Sequence, residues 1–254
     1  MMETIVAGCL LLMMLVSMDI GYRVGHRRKS SDAQTSIEVI GTVDAAVFGL
    51  LGLILAFTFS GASDRLVLRR AQIVQEANVI GTSYLRVDML AKSDQPALRE
   101  LFRSYLEKRI EVFDKFNDRA ASKAALEKAE QLQRNIWSRS VASCSADPKP
   151  DPCLLMLPAL NEMIDITTSR TMATRIHAPS AILMLLILLA LAAGMLSGYA
   201  MSRQPTRSIV HMLLFSLVVS SAVYVVLDLE YPRAGVISLR SMDDALYQLR
   251  ETMK

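Results

Sequence analysis

The chain has 254 residues, of which 52% are hydrophobic and 21% charged, with a mean hydropathy of +0.32. That is more apolar surface than a soluble domain can hide, so the composition is that of a membrane protein whose first partner is the lipid bilayer. The 28 Lys+Arg against 25 Asp+Glu leave a net charge of only +3, too weak an excess for a chain that tracks nucleic-acid phosphates, and 3 Cys with 3 His supply little for a zinc or haem site.

Crossing a hydrocarbon core of roughly 30 Å takes about 20 predominantly apolar residues, and four uncharged runs are of that order. The first span is expected over residues 1–22, with CLLLMMLV at its centre and Asp19 near its end. Glu3 stands where a signal peptide would carry Lys or Arg, and no A-x-A site follows, so an uncleaved helix is the better reading. A basic loop (23–42) leads to a second span over 43–63, which lies between Asp44 and Asp64. The third span, 178–202, has no charge between Ala178 and Ser202, and a short loop (203–207) joins it to the fourth, 208–228. Continuous apolar runs without period-two alternation mean helices rather than barrel strands. The expected fold is therefore an all-α membrane protein: four transmembrane helices in two hairpins, with an extramembrane helical domain (64–177) between them.

Within that domain Leu66, Ile73, Ala77, Ile80, Tyr84 and Val87 recur at helical spacing, so the second span is expected to run on past the bilayer. Ser93-Asp94-Gln95-Pro96 reads as a helix start, followed on one face by Leu98, Leu101, Phe102, Tyr105, Leu106, Ile110 and Phe113. Asn117-Asp118 can break that helix, a thinner apolar stripe continues through Ala125, Leu132 and Ile136, and DPKPDP at 147–152 is expected to be a loop. A last helix, about 154–176, leads back to the bilayer. In 229–254, Leu239, Met242, Leu246, Leu249 and Met253 make an amphipathic helix expected to pack on the helical domain.

Arg23, Arg27, Arg28, Lys29, Arg203 and Arg207 crowd the two hairpin loops, which therefore prefer the cytoplasm. Cys144 and Cys153 bracket the proline loop and read either as a disulfide in an oxidising compartment or as a free-thiol pair. Together these features place the helical domain in the periplasm.

No P-loop, nucleophile-elbow, H-E-x-x-H or C-x-x-C pattern occurs, and no catalytic residue, metal ligand or cofactor is expected; the chain does not read as an enzyme. Packing signals are easier to find. Ala45, Gly49, Gly52 and Ala56 form a small-residue stripe on the second span, and Ala190, Gly194 and Gly198 form another on the third. Near the polar-domain end of the second span, Leu53, Phe57 and Phe59 are either lipid- or core-facing residues or, ringed around an oligomer axis, a hydrophobic neck that gates by dewetting.

The stretch FGLLGLILAFTFSGASDRLVLRRAQIVQEANVIGTSYLR at 48–86, LNEMID at 160–165 with Arg170, His177-Ala178-Pro179 and DLEYPRAG at 228–235 resemble the bestrophin-like family of bacterial membrane proteins, a domain of unknown function distantly similar to the bestrophin anion channels. The resemblance covers nearly the whole chain and implies a bacterial inner-membrane homo-oligomer, a pentamer, with the second spans around its axis and chloride or other anions as permeant species. Against the bestrophin neck motif, Ala56, Phe57, Asp64 and Arg65 match, whereas Thr58, Phe59, Ser60 and Ser63 depart. Bestrophins keep their polar domain in the cytoplasm, the side opposite to the one the loop charges favour. Glu76, Asn78, Arg86, Asn161, Glu162, Asp165 and Arg170 are the polar residues of the family-like segments, expected to share a buried face as a network of ion pairs and hydrogen bonds, with a ligand pocket as the alternative. Asp228 and Glu230 are too few oxygens for calcium. The function expected is an oligomeric anion channel with a pore lined by the second span; the alternative is a non-conducting sensor or scaffold whose helical domain binds an envelope partner.

Overall fold

In the computed structural model the described residues, 2–27, 35–146, 151–204, 208–232 and 240–253, form helices and the turns that join them. The helices are α1 (Met2–Arg27), α2 (Thr35–Arg86), α3 (Gln95–Asp114), α4 (Arg119–Ala146), α5 (Asp151–Ala173), α6 (Ser180–Met201), α7 (Ile209–Glu230) and α8 (Arg240–Thr252), with a short 3-10 turn at Val87–Met89. Four of them, α1, α2, α6 and α7, are long and apolar enough to cross a membrane, and the chain is a multi-pass all-α membrane protein. It divides into two compact units, one made of residues 1–66 with 177–238, the other of 67–176 with 239–254.

In the first unit α1 packs along α6 and α7. Leu10 and Met14 of α1, Leu51 of α2, Leu186, Ala190 and Ala193 of α6, and Val219, Val223 and Leu227 of α7 make one buried cluster, and Phe48 meets Phe215 edge to face at 5.7 Å. Hydrocarbon drives no hydrophobic association between helices, so close packing and hydrogen bonds must hold them. The α1–α6 seam has both. A Cβ on Gly198 would lie 2.0 Å from the Met18 carbonyl oxygen, and one on Gly21 would lie 2.0 Å from that of Met195. The Ser17 hydroxyl donates to the Leu191 carbonyl at 2.7 Å along the same seam. The Ala190, Gly194, Gly198 stripe read from the sequence is thus a contact within one chain.

The second unit has a larger and more aromatic core. Ile80 and Tyr84 of α2, Leu98, Phe102, Tyr105 and Leu106 of α3, Leu132 and Ile136 of α4, Met156, Leu160 and Met163 of α5, and Leu246 with Met253 of the C-terminal segment converge in it. Asp94 stands at the N-cap of α3 with Pro96 in the first turn, where a missing N–H costs nothing. Asp118 accepts from the amides of Ala120 and Ala121 and so opens α4. α8 packs on the helical unit: Leu246 is buried, the Tyr247 hydroxyl donates to Asp114 at 2.6 Å, and Arg103 donates to the Met253 carbonyl at 2.6 Å. Cys144 of α4 and Cys153 of α5 are joined by a disulfide in the structure.

Three expectations need adjustment. Arg23 and Arg27 belong to the last turns of α1, not to a loop, because nothing in GYRVGHR stops the helix and Arg23 pairs with Asp19 one turn back; Arg28, Lys29 and Arg207 lie outside the described residues. Asp151 and Pro152 form the first turn of α5, a place proline tolerates, so the end of the proline loop is helical; 147–150 lie outside the described residues. Finally, α7 continues through Asp228 and Glu230, which are buried, because partners for Glu230 are present within the unit.

Candidate functional site

Three arrangements stand out. The first is the outward face of α2 in the membrane unit. Leu53, Phe57 and Phe59 are exposed, Phe57 at 66%, and a Cβ on Gly49 or Gly52 would meet nothing within 4 Å. Leu53, Phe57, Ser60 and Asp64 follow one another at spacings of four, three and four, which keeps them on one stripe of the helix, and all four are exposed. Among the described residues nothing covers the small-residue stripe of α2, in contrast to that of α6.

The second, also in the membrane unit, is a clasp built from the family-like motifs. The Arg65 guanidinium donates side-on to the Glu230 carboxylate, Nε to Oε2 at 3.0 Å and Nη2 to Oε2 at 2.6 Å, and the Ala178 backbone N–H donates to Oε1 at 2.8 Å. Glu230 is 2% exposed, so this one acid joins α2, the residues just before α6 and the end of α7. His177 stacks on Tyr231 with ring centres 4.8 Å apart beside it. The pairing of Glu230 with Arg65 was not readable from spacing because 165 residues separate the two.

The third lies in the helical unit. Glu76 of α2, fully buried, accepts from Arg109 Nε of α3 at 2.5 Å through one oxygen and from Arg170 of α5 through the other. The Phe113 ring lies 3.6 Å from the Arg170 guanidinium carbon and 5.3 Å from that of Arg109. The Tyr105 hydroxyl and that of Thr167 share a hydrogen bond of 2.9 Å. Burial alone would lower the Arg109 pKa, but the Glu76 carboxylate against it outweighs that and raises it, so the guanidinium stays charged. Burial pushes the Tyr105 phenol up to about 12. The two Nη atoms of Arg109 are buried with no hydrogen-bond partner among the described residues, so Glu76 is the anchor of that cation. Such an arrangement fixes three helices in one register; no reacting group in it is open to solvent.

The polar network expected from the sequence is only partly assembled. Glu76 and Arg170 meet, and Arg86 donates to the Leu155 carbonyl, joining α2 to α5. Asn78, Asn161, Glu162 and Asp165 are exposed on the helical unit instead, because the buried faces of α2 and α5 are taken by Ile73, Ala77, Ile80 and by Met156, Met163, Ile166. Arg109 was missed, although a cation at helical spacing on the apolar face that runs from Phe102 and Tyr105 to Phe113 was the available signal. His211 sits in the first turn of α7, where its backbone N–H donates to the capping Ser208 hydroxyl.

These features define a multi-pass helical protein whose membrane helices carry the bestrophin-type motifs at the ends of the spans. A family model described as Bestrophin-like domain matches residues 10–242, and the chain belongs to that family. No curated protein and no solved structure matches it.

Proposed function

We propose that the chain assembles into an oligomeric, ion-conducting pore lined by α2, a pentamer by resemblance to bestrophins. The observation that carries this reading is the uncovered face of α2, where Gly49 and Gly52 stand open and Leu53, Phe57 and Phe59 point away from the chain's own core. Arranged around an axis, Leu53 and Phe57 would form a constriction that passes ions only when wetted. The resemblance favours anions as the permeant species. The inner membrane is the expected site, and the Cys144–Cys153 disulfide supports placing the helical unit on the oxidising, periplasmic side. Purified protein in planar bilayers tests the reading: current that changes with Leu53→Ala or Phe57→Ala is expected, and absence of current, or current indifferent to both, refutes it.

A second reading, a non-conducting sensor or scaffold that binds an envelope partner, is favoured by Leu154, Leu155 and Met172 exposed on α5 of the helical unit. Crosslinking that recovers a stoichiometric partner from a monomer or dimer would support it over the pore.

A further inference from the structure

Resting on the pore reading, we infer that Asp64 sets the charge selectivity of the pore, and that the selected species are small cations rather than the anions the resemblance implies. From Gly41 to Ser63 the lining helix contains no Lys or Arg, and its one charge in that stretch is Asp44. Asp44 lies well off the exposed stripe by helical phase and is half-buried. Asp64 is on the stripe, seven residues after Phe57 and so about 20° from it around the helix. Its side chain is exposed and forms no hydrogen bond or ion pair among the described residues.

The neighbouring cation does not neutralise it. Arg65 is turned about 100° away and spends its Nε and Nη2 on the buried Glu230 carboxylate. Arg70, six residues after Asp64, stands about 120° away around the helix. With one copy of the chain per lining helix, the mouth beyond the Phe57 constriction would carry a ring of carboxylates, and among the described α2 residues 41–66 no Lys or Arg shares the Asp64 stripe. Rings of Asp or Glu concentrate cations and repel anions at a narrow entrance.

The test is the reversal potential of the purified full chain in neutral-lipid planar bilayers under about a tenfold KCl gradient. The wild type is expected to reverse on the potassium side of zero. Asp64→Asn should lower the potassium-to-chloride permeability ratio several-fold, and Asp64→Lys should carry the reversal to the chloride side. Because Asp64 is exposed and makes no bond among the described residues, these variants should assemble like the wild type, which size-exclusion chromatography in detergent checks. A chloride-selective wild type, or a cation preference unmoved by Asp64→Asn, overturns this inference while leaving the pore standing. Absence of current in wild type and variants alike removes the pore and the inference with it.

Discussion

Glu76→Gln is the sharpest probe of the helical unit. The wild-type carboxylate is fully buried and spends one oxygen on Arg109 and the other on Arg170. Glutamine keeps the volume but removes the charge, and its amide nitrogen can only donate, so one guanidinium faces a donor. The cation left worst placed is Arg109, fully buried and with both Nη atoms already without acceptors among the described residues. Removing one partner of a buried ion pair costs about 3–5 kcal/mol. At roughly 2–4 °C per kcal/mol for a chain of this size, the melting temperature should fall by roughly 6–20 °C. Trp137, the single tryptophan, packs against the core of this unit, so its fluorescence in detergent follows the relevant transition. Glu111→Gln is the control: Glu111 pairs with Lys108 and Lys115 at the surface, where a pair is worth at most about 1 kcal/mol. Adding Arg109→Met to Glu76→Gln should recover part of the loss by removing the stranded charge. A Glu76→Gln shift no larger than that of the control would refute the argument.

The Tyr105 phenol, held up to about 12 by burial, favours folding fully below the unfolded value near 10, and that contribution is lost as pH rises from about 10 to about 12. Tyr105→Phe should therefore flatten the alkaline limb of stability between those values, read by Trp137 fluorescence, and should delete a phenol ionising at about 12 from an ultraviolet titration. The disulfide closes a loop of nine residues between α4 and α5, for which the chain-entropy relation gives about 2.6 kcal/mol. Reductant should lower the melting temperature of the wild type and leave a Cys144→Ser, Cys153→Ser variant unmoved; equal response of both would show that the bond is not formed in the isolated protein.

Elements carried by local chemistry were legible in the sequence, and pairings made across distance were not. The four spans and the α3 start before Pro96 follow from apolar runs and from a proline that suits a first helical turn, each a property of neighbours along the chain. Glu76 and Arg170 were both singled out, but Arg109 was not, because an apolar stripe interrupted by one cation reads as a blemish until the acid it meets is known. The same blindness hid Arg65 from Glu230. Conversely, Asn161, Glu162 and Asp165 looked like members of the network because polarity alone does not tell which side of a helix is covered, and the methionines and isoleucines of α5 decided it.

The two glycine stripes show how much a partner changes the meaning of one pattern. A glycine inside a helix costs about 1 kcal/mol against alanine, and a membrane helix keeps it where another backbone needs the room. Gly21 and Gly198 meet that condition inside one chain, each with a carbonyl oxygen where a methyl group would go. Gly198→Ala should accordingly force α1 and α6 apart and destabilise the membrane unit even in a monomer. At Gly49 and Gly52 no atom of the described residues comes within 4 Å of the Cβ position, so no contact among them offsets the cost of the glycines. If a second copy of α2 supplies the missing contact, Gly49→Leu with Gly52→Leu should leave monomer folding intact and shift the assembled species to smaller sizes in light scattering. If the stripe faces lipid, the same pair should stabilise the helix without altering mass. An unchanged oligomer in that double variant would remove α2 from the subunit interface, and with it the reason for aligning Leu53, Phe57 and Asp64 around an axis.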